Sequence, residues 1–255
     1  MMKLDWPFVV GVKACMTERS GGASAAPWDS MNLGSHVGDA PQAVAENRAR
    51  LAQGIGAHPV FMEQVHGVEV LSLSSDTPDG LQADACWTQQ PALVCTVMVA
   101  DCLPVLLCDA RGQWVAAAHA GWRGLAGEGG QGVLESLWHV LEAAGAHAGQ
   151  TQAWLGPCIG PQAFEVGPEV REAFVNENRR MVRFFAPSAG DRFMADLAGL
   201  ARWRLQQLGI HQLHGNNSQP DWCTFTQASR FFSHRRDSRV LGSTGRMAAC
   251  IWLDL

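Results

Sequence analysis

Apolar residues along the chain fall into two rhythms. Short apolar runs bounded by turn residues predict strands at Val60–Val65, Val68–Leu73, Leu93–Ala100, Pro104–Asp109 and Gln113–His119. Later runs predict further strands at Thr151–Leu155, Val240–Gly242 and Arg246–Leu253. Helical spacing begins at Pro41, a residue suited to a first helical turn, with Val44, Arg48, Leu51 and Ala52 on one side. A stripe of Val133, Leu134, Leu137, Val140 and Leu141 predicts a helix over about Gly130–Ala144. Pro168–Val175 and Ala195–Leu208 also read as helices, the second stopped by Gly209. Ser20–Pro27 and the glycine-punctuated Trp28–Gly38 read as loops. Strands and helices mix without strict alternation, and no repeat or linker divides them. The pattern predicts an α+β fold with a mixed or antiparallel sheet in a single domain spanning residues 1–255.

Composition narrows the function classes. Apolar residues make up 47% and charged residues 17%, the balance of a chain with a substantial core. A net charge of -5, with arginines adjacent only at Arg179–Arg180 and Arg235–Arg236, supplies no basic field, so no nucleic-acid partner is expected. The charge-free run Ala85–Ala100 is broken by Thr88, Gln89 and Gln90 and is too short to cross a bilayer. Asp5 and Pro7 interrupt the place where a secretion signal would need an apolar stretch. Eight cysteines then read as thiols in a reducing compartment, and the expected location is cytoplasmic.

The densest chemistry lies between Ala100 and His119, where two apolar strands flank Asp109-Ala-Arg-Gly112. A loop of two or four residues there sets Asp109 opposite Gly112 and Cys102 opposite His119. Facing residues of an antiparallel pair have Cβ atoms about 5 Å apart, a spacing that suits two ligands of one metal ion. The next residues, Ala120-Gly-Trp-Arg-Gly124, lead a strand through glycines into a helix. Backbone N–H groups of such a turn, with Gly121 and Arg123, are candidate donors to an anion. His66 lies in a turn between two apolar runs and by itself signals little. Gly127-Glu-Gly-Gly-Gln-Gly132 matches a dinucleotide-binding pattern in letters but not in context. His211 and His214 read as a surface pair. Phe231-Phe-Ser-His-Arg-Arg-Asp237 offers either an anion site or a salt-bridge network. The sequence contains no His-x-His, which argues against multicopper oxidation.

Seven ordered motifs resemble the YfiH-like "laccase-domain" proteins: Asn32-Leu-Gly-Ser-His-Val-Gly-Asp39, Gln64-Val-His-Gly67, Ala100-Asp-Cys-Leu-Pro-Val105, His119-Ala-Gly-Trp-Arg-Gly124, Gly156-Pro-Cys-Ile-Gly-Pro161, Phe164-Glu-Val-Gly167 and Phe231–Asp237. The resemblance implies a four-layer α/β/β/α sandwich with mixed sheets. It also implies a zinc site on His66, Cys102 and His119, with copper the second choice of metal. The implied activity is phosphorolysis of adenosine or inosine, with methylthioadenosine cleavage and adenosine deamination beside it. Alternatives are a cysteine-type or zinc hydrolase editing peptidoglycan precursors and, less favoured, a copper-dependent polyphenol oxidase. Within the matched motifs Cys102 and Asp101 are the catalytic candidates. Asn32, His36, Arg48, Gly121, Arg123 and Arg235 are the substrate and phosphate candidates. The expected partners are small molecules, a purine nucleoside and phosphate, and the oligomeric state is left open.

Overall fold

The computed structural model describes residues 1–2, 4, 6–7 and 9–254. Two mixed sheets form its centre. In the first, Val12–Met16 (β1), Met247–Leu253 (β13), Leu93–Val99 (β5) and His58–Phe61 (β2) lie in that spatial order. In the second, Gln212–Gly215 (β12), Thr151–Leu155 (β8), Leu103–Asp109 (β6), Val115–Ala120 (β7), Ala85–Thr88 (β4) and Val70–Ser72 (β3) follow one another. A small third sheet joins Phe185–Pro187 (β10), Phe193–Ala195 (β11) and Glu165–Val166 (β9).

Side-chain alternation explains the layering. Along β13, Ala249 and Ile251 face the second sheet, while Ala248, Cys250 and Trp252 face the helix Pro41–Ile55 (α1) through its Leu51. Along β6, Leu106 and Cys108 enter the same space between the sheets, while Val105 and Leu107 point the other way. There they meet Val133–Ala143 (α3) and Leu197–Gln207 (α5). Both central sheets are therefore covered on both faces. Their inner strands β5, β6, β7 and β13 are buried along their whole length for that reason. The result is a four-layer α/β/β/α sandwich. No helix among the described residues is long and apolar enough to cross a membrane.

Several elements differ from the sequence expectation. The β6–β7 turn spans Ala110–Gln113 and is closed by Asp109 N–H on the Trp114 carbonyl (3.2 Å). Pro104, not Cys102, therefore pairs with His119, and Cys102 falls opposite Gly121 just beyond the ladder. The expected register was wrong by two residues. An even slip preserves which face each residue occupies, so Cys102 and His119 remain neighbours. Asp109 shapes this loop, which starts one residue later than the expected four-residue one: its carboxylate accepts from Arg111 N–H (2.9 Å) and its carbonyl from Gly112 N–H (2.9 Å), with Gly112 at φ 68.

Val240–Gly242 is not a strand. Val240 and Leu241 end the helix His234–Leu241 (α6), which begins at Ser233, whose side chain accepts from Arg236 N–H, and stops at Gly242 in the left-handed region. An apolar pair on an exposed last turn imitates a strand. The predicted strand Val60–Val65 ends at Phe61, and β1 and β4 emerge where no strand was expected.

Leu106 is wholly buried between the two sheets. Leu106→Ala is expected to lower unfolding free energy by about 2–5 kcal/mol, read from the urea midpoint at unchanged slope.

Candidate functional site

At one end of the space between the sheets, one carboxylate organises two histidines. Asp84 immediately precedes β4, is fully buried, and lies opposite His119 in the continuation of the β4–β7 ladder. His119 N–H donates to the Asp84 carbonyl (2.7 Å). His119 Nδ1 donates to Asp84 Oδ1 (2.7 Å), which leaves Nε2 as the free ring nitrogen. The same carboxylate accepts the backbone N–H groups of Val65 (3.1 Å), His66 (3.0 Å) and Gly67 (2.7 Å). Three convergent donors bend the chain through His66, which takes a left-handed φ of 61. Upstream, the Gln64 side chain accepts from Met98 N–H (2.7 Å) and donates to the Met98 carbonyl (2.8 Å), pinning this loop to β5.

Cys102 arrives from another strained residue. Asp101 has φ 88, and its carboxylate accepts from Thr224 Oγ1 (2.6 Å), Ser233 Oγ (3.0 Å) and Arg235 N–H (2.6 Å). That ties the start of α6 to the loop carrying Cys102. Cys102 Sγ then lies 3.6 Å from His66 Nε2, and the His66 and His119 rings meet edge-on at 4.8 Å. The donor atoms of His66, Cys102 and His119 all fall within 4.8 Å of one another. Gly121 leaves the space between them open. A Cβ there would stand 2.7 Å from His66 Cδ2 and 3.0 Å from Cys102 Sγ. Two imidazoles and a thiol with a protected cradle suit a borderline-soft divalent ion, and three protein donors leave a fourth position for solvent or substrate.

Protonation is set by mutual contact. Burial pushes the Cys102 thiol up, but His119 and His66 beside it outweigh this and bring it down to about 6. Burial pushes His119 down, yet Cys102 and Asp84 prevail and raise it to about 9. Between those values the protein favours a thiolate–imidazolium pair.

The three donors open into a cavity of about 280 Å³. Its lining includes the apolar residues Met98, Trp122, Ile159, Phe164 and Leu197. It also includes His36, His234, Arg235 and Arg246, with Arg235 over the Phe164 ring (5.6 Å). Burial and the charge of Arg246 hold both His36 and His234 below the usual imidazole range.

Of the expected substrate residues, His36 and Arg235 reach this cavity, and Gly121 lies against its metal-binding donors. Asn32 is buried beside it: its side-chain oxygen accepts from Arg246 N–H (2.9 Å) and Gly34 N–H (2.9 Å). Arg48 lies outside the lining, stacked over Phe61 and donating to the Leu33 carbonyl (3.0 Å). Arg123 is exposed on the short helix Trp122–Ala126 (α2), folded over the Trp122 ring and also outside the lining. In Phe231–Asp237 the two readings divide between residues. Arg236 bonds Asp237 and three backbone carbonyls, whereas Arg235 and His234 face the cavity. Sequence reasoning missed Asp84 and Arg246, and had His234 only as part of the Phe231–Asp237 segment. A lone acid between two alanines was the available signal for Asp84. Arg246 was hidden as the first residue of an expected strand.

Comparison with known proteins agrees with this arrangement in extent and fold. The family described as multi-copper polyphenol oxidoreductase laccase matches residues 13–254. A Pseudomonas aeruginosa protein named purine nucleoside phosphorylase is 50% identical over 98% of this chain and 97% of its own length. The Escherichia coli K12 purine nucleoside phosphorylase YfiH is 48% identical over the same shares. Among solved structures, a Neisseria meningitidis protein superposes with a TM-score of 0.87 at 40% identity, covering 100% of this chain and 99% of that one. YlmD of Geobacillus stearothermophilus gives 0.82 at 29% identity, over 97% and 93%.

Gly121→Ala is expected to abolish stoichiometric metal in purified protein while circular dichroism stays native, because the added methyl group occupies the cradle. Zinc uptake near pH 7.5 is expected to release about one proton, since Cys102 is already ionised and His119 must lose its proton. Calorimetry in buffers of different ionisation enthalpy reads this number. Above about pH 9 the release disappears; below it affinity falls as pH drops, and more steeply below about pH 6, where Cys102 also takes up a proton.

Proposed function

The chain belongs to the multi-copper polyphenol oxidoreductase laccase family, and we propose that it is a zinc-dependent purine nucleoside phosphorylase, converting adenosine or inosine and phosphate to free base and ribose 1-phosphate. The observation that carries the reading is a single cavity whose lining combines three candidate metal donors, apolar and aromatic residues, and arginines and histidines. Relatives at 50% and 48% identity bear the phosphorylase name.

His66, Cys102 and His119 would hold the ion, which when bound supplies Lewis acidity toward an oxygen or water ligand. Arg246 and Arg235 attract the phosphate. Arg246 is held for this by Asn32 on its backbone N–H and by its own guanidinium on the Thr244 (3.1 Å) and Gly245 (3.2 Å) carbonyls. Trp122, Phe164 and Leu197 cover the base and exclude water. A phosphate oxygen then bonds to C1′ of the ribose as the bond to the base nitrogen breaks. The electron pair leaves with the base, which takes up a proton. Methylthioadenosine cleavage and adenosine deamination are proposed as accompanying reactions of the same cavity. Eight unpaired cysteines suit a cytoplasmic protein.

A second reading has one observation in its favour: the depressed Cys102 thiol beside His119 is also the arrangement of a cysteine hydrolase. Covalent capture of Cys102 by an acylating substrate, with no phosphate requirement, would favour it.

The test is zinc-loaded protein with adenosine or inosine, with and without phosphate. Base and ribose 1-phosphate are expected only when phosphate is present, and no base release from the zinc-loaded protein sinks the proposal. Arg246→Gln is expected to raise the phosphate KM by about tenfold to a hundredfold, the loss of a charged hydrogen bond.

A further inference from the structure

His234 stands in an unusual electrostatic position. It begins α6, lines the cavity, and bonds through Nδ1 to Ser238 Oγ one turn later (2.8 Å). The charged and titratable groups around its ring are Arg246, Asp101, Arg235 and His66. The Asp101 carboxylate already accepts from Thr224, Ser233 and the Arg235 backbone. Burial and Arg246 act most strongly on His234 and outweigh the opposing Asp101 carboxylate, Arg235 adds to them, and together they keep the ring neutral at neutral pH.

A neutral imidazole has one N–H and one lone pair, and the field decides which faces where. Next to cations the lone pair turns toward the positive charge and the proton turns away. Here the direction away from the cavity is occupied by Ser238 Oγ, an oxygen able to accept. In the tautomer with its proton on Nδ1, His234 donates to Ser238 Oγ and keeps a lone pair on Nε2. That tautomer would place a hydrogen-bond acceptor beside Arg235 and Arg246 in the cavity lining.

We propose that His234, oriented by Ser238, is a specificity residue that accepts the hydroxyl proton of a protonated oxyanion, so that the cavity takes hydrogen phosphate and rejects sulfate. The inference rests on the phosphorylase reading and specifies its anion. At neutral pH phosphate keeps at least one P–OH group, whereas sulfate has none. A sulfate oxygen set against the Nε2 lone pair meets an acceptor with an acceptor, which leaves both without a partner and costs affinity. The arginines alone attract the two anions alike.

The experiment is calorimetric titration of the zinc-loaded full chain with inorganic phosphate, arsenate and sulfate at one ionic strength. Phosphate and arsenate, which share the proton, are expected to bind about threefold to tenfold more tightly than sulfate, the worth of one hydrogen bond. His234→Leu should bring the ratio close to one by gaining sulfate affinity relative to phosphate. His234→Gln, which keeps an acceptor, should retain part of the preference. Ser238→Ala, a milder change at the helix surface, should weaken the preference with the fold intact. Equal binding of phosphate and sulfate by the unaltered protein overturns the inference while leaving the phosphorylase reading standing. An unchanged ratio in His234→Leu overturns the assignment to His234. Absence of phosphate binding altogether overturns the phosphorylase reading itself, and this inference with it.

Discussion

The Asp84 carboxylate does more for this site than any other single group. It is buried without a cation of its own in the sequence neighbourhood, and burying an unpaired carboxylate is prohibitively costly. It is compensated by three backbone N–H groups around His66 and by the His119 ring. Those partners are two metal-donor positions from distant parts of the chain. One electrostatic requirement thus bends the His66 loop, selects the His119 ring nitrogen that faces Cys102, and raises His119 basicity.

The sheets supply the rest of the geometry. β7 and β4 bring His119 and Asp84 to adjacent strands, and the two-fold alternation points both into the space between the layers. Beyond the ladder, backbone positions that side chains would obstruct are kept bare. Gly121 opens the metal cradle, and a Cβ at Gly124 would meet the Gly67 carbonyl at 2.7 Å. Asp101 plays for Cys102 the part that Asp84 plays for the histidines. Its bonds to Thr224, Ser233 and Arg235 couple the thiol loop to the helix that carries His234. The three candidate donors and the polar part of the cavity lining are in this way one connected framework.

The cavity divides its labour by burial. Apolar residues from β5, α2, α5 and the loops at Ile159 and Phe164 form part of the lining. Arginines anchored on backbone carbonyls form another part, with Arg235 on the Glu165 carbonyl (2.8 Å) and Arg246 on Thr244 and Gly245. Fixing a guanidinium before an anion arrives reduces the ordering cost of binding.

Much of this was legible in the sequence where the signal is local. The long core strands β5, β6, β8 and β13 announce themselves because both their faces are buried, and α1, α3 and α5 because one stripe is. Cys102 and His119 were linked by the expected hairpin register, and the link survived an error of two residues because faces repeat every second residue. The motif resemblance added His66. Tertiary structure alone decided what depends on residues far apart in sequence: the carboxylate at 84 serving a loop at 65–67, Arg246 held by Asn32, and His234 brought under the charge of Arg246. It also moved Arg48 and Arg123 outside the lining of the cavity they were expected to serve. Sequence periodicity reports which face of an element is buried. It does not report what lies across from that face, and hydrogen bonding and charge act on the group across the gap.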